Sequence, residues 1–465
     1  MWPPSPAAPW IFGNAKSRLL PRIHVWPRRR RARFPSWPRW PTWAAGQPPR
    51  PRRPRQGPPM PHPPPRLGPR PMALHLVLQT LTLGPWMGAS WSSGWPPWNA
   101  VWPFWKPLWE AYWPNFRADR PAWPAALPAA LSQEAAARLD AFLNGVEAYH
   151  AHPYRRALPD PPPFWQAGTT VLRDYAPEAG PQAQPILLVP SLINRAHILD
   201  LAPERSLCRA LAGAGVRPVL LDWDTPGPEE ARFTLEDYVT RRLMPALAAV
   251  QTLAPRPPAV LGYCMGGLLA LALAACRPVA GLALLATPWD FQAADTPLFR
   301  LVRAFLPALA AGSATRPVPA DLLQAPFILA DPGAVARRYA SFSRLDPASA
   351  RARDFVAIED WLNDGVDLAT PTAHDIARLW LTANAPARGT WTVQGHVVRP
   401  PHAPALLIQG TRDTLVPRTA SAPLRTFLPG ARVHDLPQGH VGLVAGRDSP
   451  AHLYPLVIEW LHALS

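Results

Sequence analysis

Residues 259–267 constrain this chain more than any other stretch. An apolar run from Ala259 to Tyr263 leads into a turn of the pattern Gly-x-Cys-x-Gly, centred on Cys264, and then into a segment rich in Leu and Ala. Glycines on both sides of the central residue permit a sharp turn and let a strand and a helix approach closely. The pattern predicts a buried strand, a strained turn at Cys264 and a helix that begins beside its sulfur.

This position favours a nucleophilic role for Cys264. At a helix N-terminus, free N–H groups and the positive end of the helix dipole both stabilise a thiolate. The N–H of Met265 is the expected first donor of an oxyanion hole, and the N–H of Leu192, after an earlier strand, is the expected second. Cys208 and Cys276 lie among Leu and Ala on predicted helices, and we interpret them as core thiols.

Two later turns supply the base that a cysteine needs, since a free thiol with a pKa of about 8.5 is mostly protonated at neutral pH. Asp413 follows an apolar run, and His440 lies in a Gly-flanked turn before the last predicted helix. Alone, each is readily interpreted as a turn, capping or structural residue. Their order after Cys264 predicts a triad in which Asp413 orients His440 and His440 takes the thiol proton.

Short apolar runs alternate with helical patterns over residues 185–465. This alternation predicts an α/β fold with a mostly parallel, doubly wound sheet. Residues 290–402 interrupt it and predict an inserted cap or lid, here called the inserted segment, within a catalytic domain over 131–465. The predicted strands are 186–189, 218–222, 259–263, 279–286, 405–409 and 432–436, and the predicted helices are 204–213, 234–253, 266–276, 418–427 and 450–464.

A further amphipathic helix is predicted upstream, over residues 132–149. Ser132 is its expected N-cap, because a hydroxyl there accepts a hydrogen bond from the first helical turn. The expected apolar face comprises Leu139, Phe142, Leu143 and Val146.

The first 71 residues differ from the rest in composition. They hold 15 Lys or Arg, 21 Pro and no Asp or Glu, which leaves 32 of the 47 basic residues against all 31 acidic ones in the remaining chain. Of the net charge of +16, +15 therefore belongs to this segment, which we expect to be a disordered, basic, Pro-rich arm. Composition changes abruptly at Met72, and we expect the natural protein to start there instead. The near-neutral remainder predicts no nucleic-acid partner.

Residues 72–130 form a segment rich in Trp and Pro. Seven tryptophans between Trp91 and Trp113 recur every three or four residues, the spacing of one helical face, although two prolines interrupt the run. Two interpretations stay open: an anchor at a membrane or granule surface, or rings that pack on the main domain. The apolar stretch that starts at Met72 is shorter than the ~20 residues of a spanning helix. With only three cysteines, we expect a cytoplasmic protein.

The motifs around Cys264 resemble those of polyhydroxyalkanoate synthases, the cysteine-dependent members of the α/β-hydrolase superfamily. The resemblance rests on G-Y-C-M-G-G at 262–267 and on V-P-S-L-I-N-R-A-H-I-L-D-L at 189–201. It also rests on L-L-D-W at 220–223, on Asp413 and on Gly439 with His440, while residues 361–364 match the family's W-N-x-D element loosely.

This resemblance implies transfer of (R)-3-hydroxyacyl groups from CoA to Cys264, followed by attack of a second substrate's hydroxyl, with His440 or Asp413 as base. It implies no cofactor, since the CoA thioester is the substrate. The implied partners are an acyl-CoA or polyester, a polyester granule, and a homodimer mate or second subunit. A hydrolase with the same triad, such as a depolymerase, esterase or thioesterase, stays open, because water can replace the hydroxyl acceptor.

Overall fold

The computed structural model describes residues 65–83, 127–311 and 316–464. The predicted arm up to residue 64 and the tryptophan run between Trp91 and Trp113 lie outside the described residues. An eight-stranded sheet runs through the centre of the described chain.

Six parallel strands make up most of this sheet, and a hairpin lies at one edge. The strands are Pro163–Ala167 (β1), Thr170–Asp174 (β2), Pro185–Val189 (β3), Asp200–Ala202 (β4), Arg205–Ser206 (β5), Arg217–Asp222 (β6), Ala259–Tyr263 (β7), Leu282–Leu285 (β8), Thr392–Val393 (β9), His396–Val397 (β10), Ala405–Gly410 (β11) and Arg432–Leu436 (β12). The order across the sheet is β1-β2-β6-β3-β7-β8-β11-β12, and β2 is antiparallel to both neighbours. The short pairs β4 with β5 and β9 with β10 stand apart.

Helices cover both faces of the sheet, precede its first strand and make up most of the inserted segment. They are Met72–Leu83 (α1), Leu127–Ala151 (α2), Leu207–Gly213 (α3), Leu235–Tyr238 (α4), Met244–Gln251 (α5), Met265–Cys276 (α6), Pro297–Ala310 (α7), Ala320–Ala330 (α8), Ala334–Phe342 (α9), Ala350–Asn363 (α10), Thr370–Asp375 (α11), Arg418–Ser421 (α12), Pro423–Phe427 (α13), His440–Ala445 (α14) and Ser449–His462 (α15). Along β3, Ile186 and Leu188 belong to one apolar core, and Leu187 and Val189 to another. All four are fully buried, which is why the strand has no polar side.

The predicted α/β class with a mostly parallel sheet is confirmed, and each predicted strand has a counterpart. The strand predicted at 279–286 is shorter, Leu282–Leu285, because residues 277–281 form the loop after α6. The hairpin of β1 and β2 has no counterpart in the prediction. The signal for it in the sequence is Gly168, between two runs that contain apolar and β-branched residues. Gly168 has a φ of +58° in the structure, which suits the short turn between the two strands.

Two predictions for α2 are wrong. The helix begins at Leu127, five residues before the expected cap at Ser132, because the alanines between them favour helix. Leu143, expected on the apolar face, is 42% exposed, whereas Phe142 and Val146 are buried against α9. The two helices approach closely at Gly145, where a Cβ atom would lie 2.1 Å from a backbone oxygen of α9.

The inserted segment contains α7 to α11 and the β9–β10 pair, between β8 and β11. Chain upstream of α1 packs against it. The buried Arg66 forms an ion pair with the partly exposed Asp360 on α10, and Nε of Arg70 lies 2.9 Å from Oδ1 of Asp321 on α8. The predicted arm ends at residue 71, and its last residues, which include Arg66 and Arg70, contact the inserted segment.

Among the described helices, none combines the length and the apolar character needed to cross a membrane. Within the same residues, no three His, Cys, Asp or Glu side chains group in a way that could hold a metal ion.

Candidate active site

Cys264 lies in the sharp turn between β7 and α6. Its backbone has φ of +56° and ψ of −126°, a strained conformation for a residue with a side chain, and it is the N-cap residue of α6. The N–H of Cys264 donates to the carbonyl of Leu285 at 2.9 Å, and its own carbonyl accepts from Gly267 at 3.0 Å. The turn therefore presents a half-buried sulfur at the carboxyl edge of the sheet.

Three glycines make this turn sterically possible. A Cβ atom on Gly262 would lie 2.4 Å from Cα of Gly267, and one on Gly267 would lie 1.9 Å from Oγ1 of Thr287. A Cβ atom on Gly266 would lie 2.3 Å from the backbone oxygens of Val189 and Pro190. The first turn of α6 thus lies directly against the end of β3.

This contact brings the predicted oxyanion residues to one edge of the sheet. Val189, the last residue of β3, pairs with Gly262 on β7, so the loop after β3 leaves the sheet next to Cys264. Leu192 is buried in that loop, and Met265 is the first residue of α6. Their roles as N–H donors stay predictions.

The structure also brings Asp413 and His440 together. Nδ1 of His440 lies 2.7 Å from Oδ2 of Asp413, and both side chains are buried. The other carboxylate oxygen, Oδ1, accepts hydrogen bonds from the backbone N–H groups of Leu415 and Val416 at 2.9 and 2.8 Å. Since an ionised carboxylate only accepts, the proton on this pair belongs to Nδ1, and Nε2 is left to face the thiol.

Backbone contacts hold the two loops that carry this pair. The N–H of Arg412 donates to the carbonyl of Gln438 at 3.1 Å, and the N–H of Thr411 donates to the carbonyl of Leu436 at 2.7 Å. A Cβ atom on Gly410 would lie 2.4 Å from the same Gln438 oxygen. The Asp413 loop and the His440 loop are therefore one unit, which fixes the carboxylate against the imidazole.

The imidazole of His440 lies close enough to Cys264 for the two side chains to interact, which completes the constellation. Burial by itself lowers the pKa of His440, but the negative charge of Cys264 and the hydrogen bonds with Asp413 and Cys264 outweigh it. The net effect raises the pKa of His440 from 6.5 to about 10. These contacts favour a protonated imidazole beside the sulfur, and a cationic histidine next to a cysteine is the arrangement that makes a thiol nucleophilic.

The other two thiols have different surroundings. Cys208 is fully buried, and burial raises the pKa of its thiol well above the ordinary range. Cys276, at the far end of α6, packs against the predicted core and is half-buried, because the last turn of α6 reaches the surface. Partial burial still raises the pKa of its thiol. Neither cysteine is close to a histidine in the way that Cys264 is.

Tyr263 is a member of the site that the sequence did not single out. Its hydroxyl donates to the backbone oxygen of His440 at 3.2 Å, and its ring centroid lies 5.2 Å from that of the imidazole. The side chain is almost fully buried beneath the site. The residue stands next to Cys264 in the motif, but only the fold shows that it reaches across to α14.

Comparison with known families decides the wider class. The model of the alpha/beta hydrolase fold family matches residues 184–446, more than half of the chain. The chain belongs to the α/β-hydrolase family. In that family a nucleophile in a sharp turn between strand and helix is followed along the chain by an acid and then by a histidine. Cys264, Asp413 and His440 have this order and these positions in this α/β-hydrolase.

Similar curated proteins are poly(3-hydroxyalkanoate) polymerase subunits named PhaC. That of Haloferax mediterranei is 32% identical over 286 residues, which cover 59% of this α/β-hydrolase and 58% of the relative. That of Allochromatium vinosum is 27% identical over 296 residues, which cover 62% of this chain and 83% of the relative. The chain thus spans less than two thirds of the Haloferax mediterranei relative.

Among solved structures, a monoacylglycerol lipase of Paleococcus ferrophilus is similar with a TM-score of 0.40 and 17% identity. The match covers 64% of this α/β-hydrolase and 99% of the lipase chain.

Proposed function

We propose that this α/β-hydrolase transfers (R)-3-hydroxyacyl groups from CoA to a growing polyester through a thioester on Cys264. The observation that carries the proposal is the contact of Cys264, in its strained turn, with a histidine whose other nitrogen binds Asp413. Similarity to poly(3-hydroxyalkanoate) polymerase subunits supports the substrate class. The CoA thioester is a substrate, and no resident cofactor enters the proposal.

Acylation starts from the pair in which Nε2 of His440 already holds the proton of the Cys264 thiol. The thiolate sulfur attacks the carbonyl carbon of the CoA thioester, and the carbonyl oxygen becomes negatively charged. The N–H groups of Met265 and Leu192 would stabilise that charge, each by roughly 3 kcal/mol. The bond from carbon to the CoA sulfur then breaks, His440 returns the proton to that sulfur, and the acyl group stays on Cys264.

Chain growth repeats the same steps with an alcohol as the nucleophile. His440 takes the proton of a second substrate's 3-hydroxyl, whose oxygen attacks the thioester carbon on Cys264. An ester bond forms, the bond from carbon to the Cys264 sulfur breaks, and a thiolate–imidazolium pair is restored. Asp413 is a poor candidate for this base, because its oxygens already bind Leu415, Val416 and His440.

The partners of the proposal follow from its product. A growing polyester is apolar and water-insoluble, so contact with a polyester granule in the cytoplasm is part of the proposed function. The names of the relatives call them subunits, and we include a second subunit or a second copy of this chain as a proposed partner.

The decisive experiment follows the fate of the acyl group. Purified protein is mixed with 3-hydroxybutyryl-CoA, intact mass is measured within the first turnover, and CoA, free acid and polymer are quantified later. We expect an acyl adduct on Cys264 and polymer. Cys264→Ala should form no adduct, while Cys276→Ala, which removes a half-buried thiol on the same helix, should behave like the unmodified protein.

The same experiment separates the synthase from the hydrolase. CoA release with free 3-hydroxybutyrate and no polymer would mean that water is the acceptor, and the protein would be a thioesterase with the same triad. No adduct and no CoA release would contradict both activities.

A further inference from the structure

The loop after β3, residues 190–195, is held at both ends by buried indole groups. Nε1 of Trp223, directly after β6, donates to the carbonyl oxygen of Pro190 at 3.1 Å. Nε1 of Trp361, near the end of α10, donates to the carbonyl oxygen of Arg195 at 2.8 Å. Both tryptophans are 3% exposed. One bond comes from the central sheet and the other from the inserted segment.

The inserted segment makes backbone contacts with the same loop. The N–H of Val366 donates to the carbonyl of Ile193 at 3.1 Å, and Asn194 forms an isolated antiparallel bridge with Gly365. Together with the Trp361 bond, these contacts cover three consecutive residues, 193 to 195. They begin immediately after Leu192, the expected second oxyanion donor.

Ion pairs of Arg195 join the same parts of the molecule. Its guanidinium lies 3.4 Å from Oδ1 of Asp364 in the inserted segment and also contacts Asp224 after β6. The two carboxylate side chains are 41% and 54% exposed, so water screens both pairs. The buried Trp361 bond therefore holds the loop more firmly than the charged contacts do.

We propose that Trp361 is a positioning residue for acyl transfer, whose indole N–H holds the loop after β3 so that the N–H of Leu192 faces the thioester oxygen. The inference rests on the proposed function. It makes the inserted segment part of the catalytic machinery, because the N–H of Leu192 is held in position only while this segment contacts the loop. A donor works over a narrow range of distance from the developing oxyanion, so a small displacement of the loop lowers the rate of acyl transfer.

The indole N–H of Trp361 donates to Arg195 and not to the nucleophile or its histidine, although Trp361 lies in the same apolar core as Tyr263. Cys264 and His440 are held by α6, α14 and the Asp413 loop, none of which contacts the indole group in these hydrogen bonds. Alkylation of the thiol by iodoacetamide forms no oxyanion. A displaced loop should therefore lower the rate of acyl transfer alone, whereas a damaged nucleophile should lower the rates of acyl transfer and of alkylation.

The test compares Trp361→Phe with Trp380→Phe in the full-length protein. Trp380 is a buried tryptophan of the same inserted segment whose Nε1 has no hydrogen-bond partner among the described residues. The two variants lose the same atoms, but only Trp361→Phe loses a bond to the loop. CoA release from 3-hydroxybutyryl-CoA and alkylation by iodoacetamide are measured for both.

We expect Trp361→Phe to lower kcat by about 10- to 100-fold with KM within about 2-fold. Its alkylation rate should stay within about 2-fold of the unmodified protein, and Trp380→Phe should change neither rate. Equal kcat values for the two variants would overturn the inference alone, as would a parallel loss of alkylation and CoA release in Trp361→Phe. An unmodified protein that is alkylated but releases no CoA would overturn the proposed function and the inference with it.

Discussion

Nδ1 of His440 and Oδ2 of Asp413 lie 2.7 Å apart, while the other oxygen of the carboxylate is held by two backbone N–H groups. The carboxylate therefore cannot rotate without losing three hydrogen bonds. This fixes the imidazole with Nε2 toward Cys264, the orientation in which the ring accepts a thiol proton.

Asp413→Asn should lower the rate of CoA release from 3-hydroxybutyryl-CoA by about 10²- to 10⁴-fold, because an amide can hold the imidazole in the wrong tautomer. The matched control is Asp435→Asn on β12, which loses ion pairs with the exposed Arg418 and Arg425. The rate of CoA release by that variant should stay within about 2-fold of the rate of the unmodified protein. More than a tenth of the normal rate in Asp413→Asn would contradict the triad.

The raised pKa of His440 predicts a pH dependence of stability. The unfolded pKa is 6.5 and the folded pKa is about 10. The protonated ring therefore stabilises the folded state fully below 6.5, and this contribution disappears as pH rises through about 10. The melting temperature of the unmodified protein should exceed that of His440→Gln by a margin that narrows between these pH values.

The control for that measurement is His462→Gln on the exposed end of α15, where the imidazole contacts the carbonyl of Ala214. This variant leaves the pair of His440 and Asp413 intact. A margin for His440→Gln that widens toward pH 10 would show that the sign of the shift is wrong.

Tyr263→Phe should lower both turnover and stability. It removes the hydroxyl that donates to the backbone oxygen of His440, and the loss of a buried hydrogen bond costs about 0.5–1.5 kcal/mol in the free energy of unfolding. Urea unfolding measures the loss of stability, and CoA release measures turnover. Tyr454→Phe is the control, since its hydroxyl binds Val444 at the other end of α14 at 3.0 Å. Both variants should lose stability, but only Tyr263→Phe should lose turnover.

Arg66→Met should reduce the free energy of unfolding by about 1–3 kcal/mol, because it removes a buried guanidinium and leaves the partly exposed Asp360 without its charged partner. The same arginine also donates to the carbonyl of His152 at 2.9 Å. In contrast, Arg138→Met removes an exposed ion pair with Glu134 on α2 and should cost less than about 0.5 kcal/mol. Equal effects in urea unfolding would mean that the chain upstream of α1 adds no stability.

Local patterns were enough to predict the central strands and the order of Cys264, Asp413 and His440. A fully apolar strand such as 259–263 can only lie inside the sheet, and the glycines after it allow one kind of turn. The start of α2 was predicted wrongly because Ser132 is also tolerated inside a helix whose neighbours favour it.

Contacts between distant parts of the chain left no local pattern to read. The bond between Trp361 and Arg195 spans 166 residues, and that between Tyr263 and His440 spans 177. In the sequence, a Trp or Tyr on a helix or strand can equally well be an ordinary core residue. Its hydrogen-bond partner is a backbone oxygen, which every residue has. Only the arrangement of the strands shows which oxygen it meets.

The backbone of the turn at Cys264 is set by its glycine neighbours and not by the sulfur. Gly262, Gly266 and Gly267 fill their sites without side chains, and each is excluded from substitution by backbone or side-chain atoms within 3 Å. The backbone conformation at the central position therefore does not depend on which small side chain stands there, and a serine could occupy the same turn. Exchange of the sulfur for oxygen would alter the reactivity of the nucleophile while the surrounding backbone is retained. The reaction of this fold can therefore change, in evolution or by engineering, through a single substitution at this position.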